Sequence, residues 1–193
     1  MKLWKLSVIC LIAGLVFTAA AAVSEQTAIS EKLIRLHVIA HSDSAEDQAV
    51  KLRVRDGILE KLEGVRWDSR GEAANWLGTH GEELRRIGEE ISGKPVRVSL
   101  TEESYPTREY ETFHLPAGEY LSLQVRIGDG VGKNWWCVVY PALCSYSQSD
   151  LQPMAVSAGF TADEVDFITK DSHSIRVKFK LLEWFEEWKK QDD

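Results

Sequence analysis

Gly128-Asp129-Gly130-Val131-Gly132-Lys133-Asn134-Trp135-Trp136-Cys137-Val138-Val139-Tyr140-Pro141-Ala142-Leu143-Cys144 is the stretch on which the fold turns. Three glycines in five residues mark a tight turn. An aromatic pair then opens an apolar, β-branched run that reads as a strand over residues 135–140. Trp135 and Trp136 are adjacent, so a strand sends them to opposite faces. Either one ring is core and the other is exposed as an interface anchor, or both are buried between two packed layers. Pro141 and Cys144 follow as a corner.

Upstream, the period of two continues. Val96, Val98 and Leu100 alternate with Arg97 and Ser99, Tyr110, Thr112 and His114 alternate with Glu111 and Phe113, and residues 120–127 form a third strand. Short glycine links between successive strands predict antiparallel pairing. Further upstream, residues 32–40 read as a strand rich in branched side chains. Ser44 with Asp47 forms a capping box for a helix to about Glu63, with Ala49, Leu52, Asp56, Leu59 and Leu62 on one stripe and Val50, Val54 and Ile58 beside it. A second helix is predicted from Gly71 to Ser92, its stripe being Ala73, Leu77, His80, Leu84, Ile87 and Ile91, stopped by Gly93 and Pro95. His80 on that stripe reads as a half-buried core residue.

Downstream, residues 145–172 are polar and small: a surface loop or flexible insertion, with a short helix over residues 162–170. Ile175, Val177, Phe179 and Leu181 alternate as a strand, and residues 182–190 then form a short helix. Trp184, Phe185 and Trp188 share one side of it, and helices bury Trp67, Trp76, Trp184 and Trp188. The expected fold class is α+β: two N-terminal helices packed on a mainly antiparallel sheet, preceded by a signal peptide. The expected organisation is signal 1–22, linker 23–31 and a single domain 32–190, with 145–172 the insertion.

The compartment is read from the N-terminus. Lys2 and Lys5 lead a run from Leu6 to Val23 in which only Ser7, Gly14 and Thr18 are not apolar. A basic start, an apolar stretch and Ala19, Ala20, Ala21 and Ala22 make a secretory signal cleaved after Ala22; the alternative is an uncleaved anchor. Cys10, preceded by isoleucine, does not fit a lipoprotein signal. Losing Lys2 and Lys5 takes the net charge from −7 to −9, which argues against nucleic-acid partners and against electrostatic adsorption to anionic lipid. Cys137 and Cys144 are then an even pair. In an oxidising compartment they are expected to bond, which the loop-entropy account values at ~2.5 kcal/mol; the alternative is two buried thiols.

Several uncommon strings carry a resemblance. Leu36-His37-Val38-Ile39-Ala40-His41-Ser42-Asp43-Ser44-Ala45-Glu46-Asp47-Gln48-Ala49-Val50-Lys51-Leu52-Arg53-Val54-Arg55-Asp56 resembles the opening of the stage II sporulation protein R family. So do Tyr105-Pro106-Thr107-Arg108-Glu109-Tyr110, Leu115-Pro116-Ala117-Gly118-Glu119-Tyr120, the run from Gly132 to Cys144, and Phe179-Lys180-Leu181-Leu182-Glu183-Trp184. His41 stands where the family pattern has asparagine, which weakens a ligand role for it. The resemblance implies an exported signalling protein of endospore formers, made in the forespore and sent between the two septal membranes. There it would activate a membrane-embedded aspartic protease of the mother cell that removes the pro-segment of sigma factor E. It implies a ligand without cofactor, metal or catalytic residues. Candidate partner-binding residues are Arg108 and Tyr110, set by the Pro106 bend, with Trp135 and Trp136.

Two other classes compete. His37, His41, Asp43 and Asp47 cluster in sequence and would suit a metal-dependent cell-wall hydrolase that activates water. Against it, Asp43 and Asp47 have a local use at a helix N-terminus, and HExxH and Gly-x-Ser-x-Gly are both missing. A passive septal envelope-binding module would use the aromatic residues for glycan stacking.

Overall fold

β1 (Ile34–Ile39) organises the fold because strands pair with both of its edges. The computed structural model describes residues 3–143, 148–169 and 173–189. They form two compact units. A sheet unit comprises Lys32–Glu103 and Tyr120–Phe160, and a helical unit comprises Met1–Glu31, Ser104–Glu119 and the chain from Thr161 onward. The fold is α+β, as expected.

In the sheet unit, β2 (Val96–Tyr105), β5 (Gly118–Ile127), β1 and β6 (Asn134–Tyr140) lie side by side in that order. β1 runs parallel to β5, with Leu36 opposite Leu123, and antiparallel to β6, with His37 opposite Trp136. The expected succession of antiparallel hairpins is thus corrected: β5 and β6 are joined by a short glycine link, yet β1 lies between them. The link must cross about two strand spacings, roughly 10 Å. It does so by lying on the end of β1. The Gly132 N–H donates to the Ala40 carbonyl at 3.0 Å, and a Cβ on Gly132 would stand 2.2 Å from the Ser42 carbonyl oxygen. Only glycine permits that approach.

Ile34, Leu36 and Val38 alternate onto one core with Leu123, Val125 and Ile127 of β5. Three helices cover that face. The first, α2 (Ala45–Glu63), is capped by Ser44, whose side chain accepts from the Asp47 N–H, as the capping box predicts. Its buried stripe is Val50, Val54, Ile58 and Leu62, whereas Leu52 is exposed and Ala49 lies outside the core. The predicted second helix is two, α3 (Arg70–Thr79) and α4 (Gly81–Ser92). The break falls at His80, between Gly78 and Gly81, where helix propensity is poorest. The half-buried His80 ring stacks on Trp76 at 4.0 Å, with its Nδ1 2.9 Å from the Trp76 carbonyl oxygen. The sheet unit also holds α5 (Gln148–Ser157), with Leu151 and Ala155 buried.

The helical unit starts from α1 (Leu3–Ser30). Residues 23–30, expected as linker, continue this helix. Ala22, Gln26 and Ile29, spaced four and three apart, are its buried stripe. Glu25 accepts from Lys178 at 2.6 Å. The Gln26 amide donates to the Glu119 carbonyl at 3.5 Å and lies against Gly118. Of the expected strand over residues 110–114, residues 110–113 are a turn between two short strands, β3 (Arg108–Glu109) and β4 (His114–Leu115). The helix α6 (Ala162–Thr169) matches the short helix predicted there and buries Val165, Phe167 and Ile168. With α5 it places helix over much of residues 145–172; residues 144–147 and 170–172 lie outside the described residues. The tail is one helix, α7 (His173–Lys189), in place of the predicted strand and short helix. Phe179 and Leu182 are buried, a three-residue spacing that a helix satisfies. Phe167 and His114 meet Phe179 edge-on at 5.2 and 5.4 Å.

The crossing makes a stability prediction. Gly132→Ala should cost about 2–4 kcal/mol, because the obstructing atoms are backbone and the Ala40 bond is lost with them. Gly93→Ala, at φ 63° with open space around it, should cost only about 1 kcal/mol. Denaturant unfolding followed by tryptophan fluorescence compares the two; equal costs would refute the role given to Gly132.

Candidate partner-binding surface

The glycine crossing positions the aromatic pair. Around it, the Lys133 N–H donates to Asp43 Oδ1 at 2.7 Å and the Asp129 N–H donates to His41 Nδ1 at 3.1 Å. Lys51, buried to 5% exposure on α2, donates to the Lys133 carbonyl at 3.0 Å and to Gln48 at 2.7 Å. Burial lowers the Lys51 pKa, with Asp43 opposing. Gln48 returns a bond to the Ser42 carbonyl at 2.9 Å. The chain therefore enters β6 from a fixed point at the end of β1.

Trp135 and Trp136 do point to opposite faces, and both are half-buried. Trp135 packs on the core, with the Arg55 guanidinium 4.8 Å from its ring centre. Trp136 lies on the other face, stacked on His37 at 5.5 Å. They sit on an edge strand, and Asn134 beside them is exposed. Arg108 and Tyr110 belong to the helical unit. Arg108 is half-buried on β3, and Tyr110 stacks on Phe113 at 4.5 Å while its N–H donates to the Phe113 carbonyl at 2.7 Å. The four candidates thus form two pairs, one in each unit. Cys137 is buried on β6. The expected bond to Cys144 falls on a residue outside those described.

The four residues of the hydrolase alternative are dispersed in role. His37 faces Glu103 of β2, His41 caps the glycine link, and Asp43 holds Lys133. Asp47 accepts from Ser42 and lies 3.8 Å from the Lys94 ammonium. The bond from Ser42 lowers the Asp47 pKa against desolvation, with help from Ser44, Lys94 and His41. Among the described residues no group of three or more His, Cys, Asp or Glu side chains could hold a metal.

Three features escaped the sequence. One is a polar stripe across the sheet face opposite the helices. There the Arg35 guanidinium lies 4.9 Å from the Tyr120 ring centre, and His37 Nδ1 lies 3.1 Å from Glu103. Period-two alternation marked Arg35 and His37 as off the core, but not that β2 would bring Glu103 to them. Another is a cleft of about 700 Å³ whose walls include Leu59, Trp67, Tyr140, Pro141 and Met154. Its residues come from three separate segments, so no local pattern announced it. The third is exposure on α7: Trp184 and Trp188, expected to be buried, are 72% and 59% exposed.

The stripe makes a pH prediction. Burial works to raise the Glu103 carboxyl, but hydrogen bonds from His37, Ser122 and Gln124 override it and hold the pKa at about 2. A lowered folded-state pKa adds stability that is complete above the ordinary value of 4.5 and disappears as the pH falls toward about 2. Glu103→Gln should therefore be less stable at neutral pH by on the order of 1–2 kcal/mol, below the full-shift figure because water still reaches the carboxyl. Unfolding curves of both proteins from neutral pH to about pH 2 should converge; a constant gap would contradict the assignment.

The comparisons with known proteins fall on this same region. The family model for stage II sporulation protein R matches residues 30–150, from the end of α1 through β6 into α5. Stage II sporulation protein R of Bacillus subtilis (strain 168) is 33% identical over 136 residues, covering 66% of this chain and 60% of that protein. No solved structure matches. The matched region contains the capped α2, the β1 strand, the glycine crossing and the aromatic pair together. The chain belongs to the stage II sporulation protein R family.

Proposed function

We propose that this chain is an exported signal of endospore formation that switches on a membrane-embedded aspartic protease of the mother cell, which converts pro-sigma factor E to its active form. The observation that carries the reading is the family match over residues 30–150. The N-terminal helix supports it: Trp4–Ser30 is long and apolar enough to cross a membrane, and it is compatible with a secretory signal. On this reading the protein acts in the space between the septal membranes, with Cys137 and Cys144 oxidised there. The chain transforms no substrate. It binds the active arrangement of the protease more tightly than the inactive one. Moving the protease from mostly off to mostly on needs on the order of 5 kcal/mol of differential binding.

Trp135 and Trp136 supply one contact region, at the β6 edge, and Arg108 and Tyr110 supply another. Half-burial suits that role: the rings are held by His37 and Arg55 yet keep surface for a partner, so little side-chain entropy is lost on docking. The metal-hydrolase alternative gains no observation, since its residues are engaged in holding the glycine link, the N-terminus of α2 and the sheet face.

Co-expression of this chain, the protease and pro-sigma factor E in a bacterium lacking other sporulation proteins should yield processed factor only when all three are present. Processing without this chain, or none with it, would refute the reading. Arg108→Ala with Trp136→Ala should lower processing at least tenfold while thermal unfolding stays cooperative. Unchanged processing by that folded double variant would remove these residues from the contact.

A further inference from the structure

We infer that α7 is a membrane-surface helix whose tryptophans sit at the lipid–water boundary beside α1. Val177, Leu181, Trp184 and Trp188 follow spacings of four, three and four, which places them on one stripe of the helix. Val177, Trp184 and Trp188 are exposed, while Phe179 and Leu182 face inward. A helix with one face buried in its own unit and a second apolar stripe turned outward has something else to cover that stripe.

The course of α1 identifies the cover. The two helices run antiparallel: Lys178 meets Glu25, and one turn further along α7 Leu181 and Leu182 line one cleft with Val16, Ala20 and Val23. At ~1.5 Å per residue on each helix, Trp184 and Trp188 come level with the turn from Gly14 to Thr18. That turn belongs to the apolar run in which Trp4, Leu11 and Phe17 are 62%, 66% and 77% exposed. A helix apolar all round, with little protein around it, is suited to hydrocarbon. The outward stripe of α7 thus reaches the level of that apolar run, and tryptophan favours the boundary where an apolar ring meets water.

Charge gives the mode of binding. Lys178 is paired with Glu25 and Lys180 with Glu183, and along α7 Arg176, Lys178, Lys180 and Lys189 are set against Glu183, Glu186 and Glu187, so the helix carries no large excess of cations. The contact is therefore aromatic insertion and not attraction to anionic lipid, and it is insensitive to salt. Removal of residues 1–22 by a peptidase leaves the stripe with the mature chain, so both forms keep a hold on the bilayer. This inference does not rest on the protease reading.

The test uses the full chain carrying Trp4→Phe, reconstituted in vesicles of phosphatidylethanolamine and phosphatidylglycerol. Lipids brominated near the headgroup end of the acyl chain should quench on the order of a third of the emission, the share of two among the six remaining tryptophans if all emit equally. The quenching should persist in high salt. Adding Trp184→Phe and Trp188→Phe should abolish it with the circular dichroism unchanged. Should those changes disturb the fold, the wild-type pair still decides by its own quenching. Emission that bromolipid leaves intact but aqueous acrylamide quenches would show a wet face. Protection from both quenchers would show a face covered by protein, such as a second copy. Either result overturns the inference.

Discussion

The sheet depends on one close approach, Gly132 against the Ser42 carbonyl. It lets a short link pass over the end of β1, so that a single strand is parallel to β5 on one side and antiparallel to β6 on the other. A side chain at that position would lift the link, and β6 would lose its register with β1. The polar contacts nearby serve the same end. Asp43, His41 and Lys51 bind the backbone of the link at Lys133, Asp129 and Lys133 respectively. The long string from Leu36 to Asp56 and the string from Gly132 onward, remote in sequence, are thus two halves of one joint. This explains why residues resembling a metal set in sequence are spread over several structural tasks.

Local rules carried part of this into view. The Ser44 cap, the α2 boundaries near Glu63 and the strand character of β1, β5 and β6 follow from side-chain chemistry within a few residues, and each was legible. What was not legible depended on long-range pairing. β5 and β6 carry every sign of a hairpin, and nothing between them tells that a strand from ninety residues earlier is inserted. His80 continued an apolar stripe, but its flanking glycines and its stack on Trp76 broke the helix. The tail from Ile175 to Leu181 alternates like a strand and also fits a helix; packing of Phe179 against Phe167 and His114 decides it. For the candidate site, the opposite facing of Trp135 and Trp136 was legible, whereas their half-buried state was not. That state depends on His37 from β1 and Arg55 from α2.

The two units have different chemistry. The sheet unit is a packed core with a polar stripe on its other face. The helical unit is built on a long apolar helix whose second half, through Ala22, Gln26 and Ile29, belongs to the fold while its first half does not. The apolar first half of that helix is suited to lipid, and the sheet unit carries the half-buried Trp135 and Trp136 on its edge strand. The signalling role proposed for the chain calls for no reactive group, because a bound ligand shifts a conformational balance by differential affinity alone.

That distinction gives the decisive measurement: titration of the purified full chain, in vesicles, against a fixed amount of reconstituted protease and its pro-factor. An activator that works by occupancy predicts a processing rate that climbs with bound chain and levels off near equimolar ratio with the protease. Full processing by a trace of the chain, far below one per protease, would mean that it turns over as a catalyst, and the account would be wrong.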